Sequence, residues 1–346
     1  MSIKKVLLTV AVLVAAAFVL SACAGPAGPQ GPAGPEGPAG PAGPMPSAAE
    51  LTCTECHNNT TLIDGKVFAW EESKHGPVGT AWLEEAGRQE CAGCHEGSSF
   101  IDRITAGQSF ADYGTAEGIT LPDATPQTCR TCHTIHTTYT KDDFALRTVA
   151  PVTLVINGGT FDKGMGNLCV NCHQARKNMA DFAEKDAAGA VIAGSYKLTS
   201  SRFNPHLSPQ SDMMLGVGGG GTVVGSPSSH YTMTTDSCVT CHLGESNTHT
   251  FDATVSACVA CHADAENTDI NGAVTTTQAK FDELTAALTT AGLVDSTGAA
   301  VKGTYAEAKA FPLWVYGFIM EDGSMGVHNP KYANDLLDAA LAALGK

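Results

Sequence analysis

Aromatic side chains are scarce. Phe, Trp and Tyr make up 6% of the 346 residues, too few to build more than a thin core from side chains alone. Charged residues are also few, at 16%, and positive ones fewest, with 20 Lys and Arg against 35 Asp and Glu. The formal charge of −15 grows more negative once Lys4 and Lys5 are removed with the segment described below. Such a balance repels nucleic acid and favours cationic partners or oxidised metal species, although a plain acidic soluble protein would carry it too. The apolar run Val6 to Leu20 is too short and too N-terminal to favour a spanning helix, and has signal-peptide length.

Free cysteine is the next thing missing, despite 13 cysteines in the chain. An exported protein with that many would ordinarily pair them as disulfides. The spacing points elsewhere. Twelve fall into six copies of one pattern: Cys53-Thr-Glu-Cys56-His57, Cys91-Ala-Gly-Cys94-His95, Cys129-Arg-Thr-Cys132-His133, Cys169-Val-Asn-Cys172-His173, Cys238-Val-Thr-Cys241-His242 and Cys258-Val-Ala-Cys261-His262. C-x-x-C-H is the attachment signal of c-type haem. Two thiols three residues apart reach the two vinyl groups of one porphyrin, and the next residue, His, bonds the iron. Paired C-x-x-C can hold zinc, but a zinc site does not require His after every second Cys. No thioredoxin-like context surrounds any of the six motifs.

Six of the 12 histidines belong to the motifs, and the others are His75, His136, His206, His230, His249 and His328. Six irons with a second axial ligand need that many, so each is a candidate distal ligand. His136 follows His133 by three residues. On a helical turn the two rings would share a side, so His136 is expected to reach a neighbouring haem. The methionines from Met165 onward are read as packing residues.

Around the motifs the chain divides into four parts. Residues 1–22 form the signal segment, and Leu20-Ser21-Ala22-Cys23 resembles a bacterial lipobox, which implies lipidation of Cys23 and sorting to the outer membrane. Residues 23–46 contain GPAGPQGPAGPEGPAGPAGP, a collagen-like spacer that is either a triple helix or a single polyproline II rod. Residues 47–275 are the six-haem part and residues 276–346 a helical segment carrying His328. Loops and short α-helices are expected around a haem chain, with little β-structure. Helix is expected near Leu51–His57 and Trp82–His95, a short strand at Val152–Ile156, and a flexible loop at Gly216–Gly221. The spacing of Phe281, Leu284, Leu288 and Leu293, and of Tyr332, Leu336, Leu337, Leu341 and Leu344, predicts two helices. Pro312 is expected to interrupt the apolar stretch between them.

From about Leu51 onward the sequence resembles the multihaem c-type cytochromes of metal-respiring bacteria, including surface lipoproteins and cytochromes that polymerise into filaments. The last third is similar to the pentahaem nitrite reductase family at Ser229-His230-Tyr231, at His249 and at Gly326-Val327-His328-Asn329-Pro330. That resemblance implies that His230 ligates the haem at Cys258 and His328 the haem at Cys238. It also implies that His249 reaches back to an earlier haem, with Cys129 the candidate. In that family the catalytic haem keeps a free distal face, often on a motif ending in Lys. Here every motif ends in His and every iron has a distal candidate. The expectation is an electron-transfer protein in extracellular or anaerobic respiration, possible as a filament subunit. Other multihaem cytochromes or extracellular acceptors are the expected partners. The alternative is a reductase of nitrite or a related nitrogen oxide with one open haem.

Overall fold

Most of the chain folds as short helices joined by loops. The computed structural model describes residues 61–77, 85–86, 88–113, 124–244 and 248–346, all within the unit Pro46–Lys346. The signal segment, Cys23, the Gly-Pro-X stalk and the first motif (Cys53, Cys56, His57) lie outside these residues, as does the helix expected at Leu51–His57.

The first helices are α1 (Thr61–Glu71), α2 (Gln89–His95), α3 (Gly97–Thr105), α4 (Phe110–Tyr113) and α5 (Cys129–Cys132). A two-stranded antiparallel ribbon follows, β1 (Val152–Thr153) with β2 (Thr160–Phe161), where a strand was expected at Val152–Ile156. Next come α6 (Gly166–Val170), β3 (Ala183–Lys185), β4 (Val191–Leu198), α7 (Gln210–Leu215), α8 (Ser229–Met233), α9 (Cys238–His242) and α10 (Val255–Val259). Then α11 (Ala273–Thr290), β5 (Gly303–Ala306), α12 (Glu307–Asp322) and α13 (Pro330–Ala343) complete the chain. The strands β3, β4 and β5 form an antiparallel sheet in that order, with Tyr196 opposite both Ala183 and Tyr305. Helices as short as α5 or α9 are not stable alone in water and depend on what they pack against.

The largest core lies in the C-terminal part. Leu284 and Leu288 of α11, Trp314 and Phe318 of α12, and Leu336 and Leu337 of α13 are fully buried together. Met179, Leu198, Phe203 and Met213 join them from the middle of the chain. Burying a side chain of this size contributes about 1.5–3 kcal/mol. A smaller cluster of Leu154, Phe161, Val170, Met214 and Leu215 lies under the ribbon, with Cys238 packed against it.

Three expectations are corrected here. Pro312 does not interrupt the apolar stretch: it lies inside α12, whose buried residues run from Ala310 to Ile319. The loss of one backbone donor is outweighed by burial on every side, and the same burial leaves the segment without a helical period. The Gly216–Gly221 loop is pinned rather than flexible. Trp314 Nε1 donates to Gly218 O at 2.9 Å, and Gly219 N donates to the Tyr332 hydroxyl at 2.9 Å. Among the methionines, Met179, Met213 and Met214 are buried, but Met165, Met233 and Met320 are exposed.

Candidate haem-binding sites

The five described C-x-x-C-H motifs share one local geometry. Each begins in a short helix: α2, α5, α6, α9 or α10. The amides of His133, His173 and His262 each donate to the carbonyl of the first motif cysteine, at 2.8–2.9 Å. One turn of helix thus gathers both thiols and the ring. None of the ten described cysteines is paired in a disulfide.

Each described motif histidine has a second histidine close by. By ring centroid His95 lies 6.0 Å from His206 and His173 lies 6.1 Å from His75. His133 and His249, His242 and His328, and His262 and His230 each lie 6.3 Å apart. Two imidazoles bonded to opposite sides of one metal at ~2 Å stand about 6 Å apart by centroid. Direct aromatic contact spans a range of about 4.5–7 Å, so distance alone does not separate the two arrangements. The angles do, because the planes cross at values from 30° to 85° while the separation stays between 6.0 and 6.3 Å. Rings held on a common axis, each free to turn about it, behave this way.

The ring nitrogens agree. His133 Nδ1 meets Phe144 O at 2.7 Å, His242 Nδ1 meets Phe251 O at 2.8 Å and His230 Nδ1 meets Val327 O at 2.6 Å. A carbonyl only accepts, so Nδ1 carries the proton and Nε2 keeps its lone pair for a metal. His173 Nδ1 lies 3.1 Å from Gln210 Oε1, and His328 Nδ1 lies 2.7 Å from Asp322 Oδ1. Burial, reinforced by His173 and His242, pulls the His75 pKa down to about 4. Burial and then Arg176 do the same at His206, also to about 4. Both are therefore neutral, ligand-competent rings at pH 7. At His328 burial opposes the charge, but Asp322 outweighs it and raises the pKa. This donor set fits c-type haem: paired thiols on a helical turn beside two opposed imidazoles.

Neighbouring motifs touch. The sulfurs of Cys94 and Cys172 lie beside each other, as do those of Cys169 and Cys238. Cys241 lies near Cys258 and Cys261. Buried Arg103 clamps two motif turns, donating from Nε to Gly93 O and from Nη2 to Asn171 O, each at 3.1 Å. Phe251 joins three sites. Its ring lies 4.7 Å from His75 and 5.7 Å from His249, and its carbonyl accepts from His242. It holds this place with a left-handed backbone, φ 59°.

No family model matches the chain, and no curated protein matches it. Two solved structures are similar. One is an undecahaem cytochrome from the S-layer of Carboxydothermus ferrireducens, at 20% identity and a TM-score of 0.51, over 79% of this chain and 40% of that one. The other is the outer cell wall cytochrome OcwA, at 21% identity and a TM-score of 0.46, over 80% of this chain and 49% of that one. This chain therefore spans less than half the length of either. The fold is similar to that of the S-layer undecahaem cytochrome.

Of the six distal candidates, His75, His206, His230, His249 and His328 lie beside a motif histidine. The neighbours of His230, His328 and His249 are those that the family resemblance implies. His136 differs from its expectation in geometry. Helix α5 ends at Cys132, and His136 sits in a turn with φ 63° and its ring stacked on Tyr139 at 5.6 Å. The helical turn from His133 does not form, because Asp143 captures the His136 amide at 2.7 Å and the Thr138 amide at 2.6 Å. Sequence reasoning missed Arg103, Phe251 and Asp322. No spacing rule marks a lone Arg or Phe as a bridge between motifs. Asp322 at least precedes His328 at a helix end.

Proposed function

We propose that the chain is an electron-transfer protein carrying six covalent c-type haems, each held between two histidines. The carrying observation is the set of five histidine pairs with centroids 6.0–6.3 Å apart. When bound, such a haem supplies a one-electron ferric–ferrous couple, at a lower potential than a Met/His pair would give. The chain does the rest. Its cysteines fix each ring, its paired imidazoles occupy both axial positions, and Phe144, Phe251, Val327, Gln210 and Asp322 hold imidazoles in orientation. The proximity of their cysteines supports a path through the second, fourth and fifth motifs, with the sixth beside the fifth. Nitrite or a similar substrate would need an iron with an exchangeable position, and paired imidazoles deny one. The reductase reading is therefore second.

The lipobox at Cys23 and the Gly-Pro-X stalk favour an exported lipoprotein on the outer membrane, passing electrons to another multihaem cytochrome or an extracellular acceptor. Assembly into a filament belongs to the same reading. The intact mass of the mature, denatured protein tests the cofactor count, because thioether-bound haem stays with the chain. Six haems are expected; five or fewer in fully matured protein would contradict the proposal. Cys23→Ala should remove the protein from the membrane fraction, and wild-type fractionation would rule out the anchor.

A further inference from the structure

The paired rings differ in what holds their outer nitrogens, a difference that matters only if they are haem ligands as proposed above. His133, His242 and His230 each face a backbone carbonyl, and His173 faces the side-chain oxygen of Gln210. These partners are neutral. His328 faces a carboxylate, with Nδ1 2.7 Å from Asp322 Oδ1. The Asp322 side chain is only 1% exposed. Its other oxygen, Oδ2, accepts from the Ser324 hydroxyl and from the Ser324 amide at 3.3 Å. Its backbone carbonyl accepts from Gln210 Nε2 at 3.1 Å.

Other buried carboxylates do different work. Glu96 accepts from the Ser99 and Thr125 amides, Asp143 from the amides of His136, Thr138 and Tyr139, and Asp212 from Asn157 and the Ala175 amide. None of these bonds is to a ring nitrogen. The loop carrying His328 is also fixed at its far end. Asn329 Nδ2 donates to Met213 O at 3.0 Å and Ser226 O at 2.9 Å, and Asn329 Oδ1 caps α13. His328 and Asp322 therefore meet in a rigid setting.

We propose that Asp322 is a positioning residue that makes the centre built from Cys238, Cys241, His242 and His328 more reducing than the same ligands with neutral partners. A full negative charge accepting Nδ1–H draws that proton outward and makes Nε2 a stronger donor, which favours the ferric state. Reduction adds one electron, from a neighbouring centre or an external reductant, beside a charge that is already negative. Burial keeps salt from screening that repulsion. Through Cys238 this centre adjoins the fourth motif and through Cys241 the sixth. It is an interior step of the path.

Spectroelectrochemical titration of the full haem-loaded protein tests this, with Asp322→Asn keeping the size and an acceptor oxygen. One midpoint should move to higher potential in the variant. All haems should remain low-spin and the other midpoints should stay in place. Ser324→Ala, which frees the carboxylate from a competing donor, should move the same midpoint the opposite way. If all midpoints are unmoved in both variants while haem remains on the Cys238–Cys241 peptide, the inference is overturned alone. Absence of haem from that peptide in the wild type would instead overturn the functional reading on which it rests.

Discussion

At the scale of single residues, each distal histidine is an independent test. His75 and His206 are half-buried neutral rings beside His173 and His95. His75→Ala or His206→Ala should leave the haem count unchanged, because the thioethers are intact, and convert one haem to high spin. An unchanged low-spin spectrum would show that the histidine is not a ligand. Asp143 acts one step back. It gathers the amides of His136, Thr138 and Tyr139 into one turn. Asp143→Ala should release that turn and accelerate hydrogen exchange at those amides, whereas wild-type protection would mean that the turn holds without it. The motif cysteines and histidines are readable in the sequence because attachment chemistry demands fixed spacing, whereas the other six histidines are candidates by count alone. Their supports are not readable there, because Arg103, Phe251 and Asp322 act through contacts that chain neighbours do not reveal.

At the scale of elements, the two amphipathic helices were legible from their spacing, while α12 and the sheet β3-β4-β5 were not. From Ala310 to Ile319 helix α12 is buried all round and so has no period to read. In β4, Val191 and Ile192 are exposed, so inside and outside do not alternate as in a half-buried strand. The glycine loop under α12 and α13 carries a firm expectation. A Cβ at Gly219 would come within 2.5 Å of Leu336 and 2.7 Å of the Tyr332 hydroxyl. Gly219→Ala should cost roughly 1–3 kcal/mol by overpacking, measured by denaturant unfolding. No loss would mean the loop yields. The start of α11 titrates. Hydrogen bonds from the Thr275 hydroxyl and amide, with that of Val274, hold the Asp269 carboxyl below the usual carboxylate range. A depressed folded value means its support is complete above the unfolded value of about 3.9 and is lost as pH falls through the lower folded one. Exchange at the Val274 and Thr275 amides should quicken across that acid window in the wild type and show no such step in Asp269→Ala.

At the scale of the whole molecule, aromatics are scarce and the largest side-chain core among the described residues lies at the C-terminal end, so on the proposed reading the motif region depends on its haems. Arg103 is one of the few protein contacts tying two motif turns together, and burial of a charge that has lost its acceptors is costly. Arg103→Met removes the charge along with its donors. It should loosen the contact between the second and fourth motifs, with slower electron equilibration between those centres. Unchanged equilibration would show that the two motifs stay together without Arg103. The central claim, that every haem is closed on both faces by histidine, has one direct measurement. Electron paramagnetic resonance of the oxidised, fully loaded protein should show only low-spin ferric haem, with little carbon monoxide bound after reduction. A stoichiometric high-spin haem, together with turnover of nitrite or hydroxylamine, would contradict the account and place the chain among the reductases.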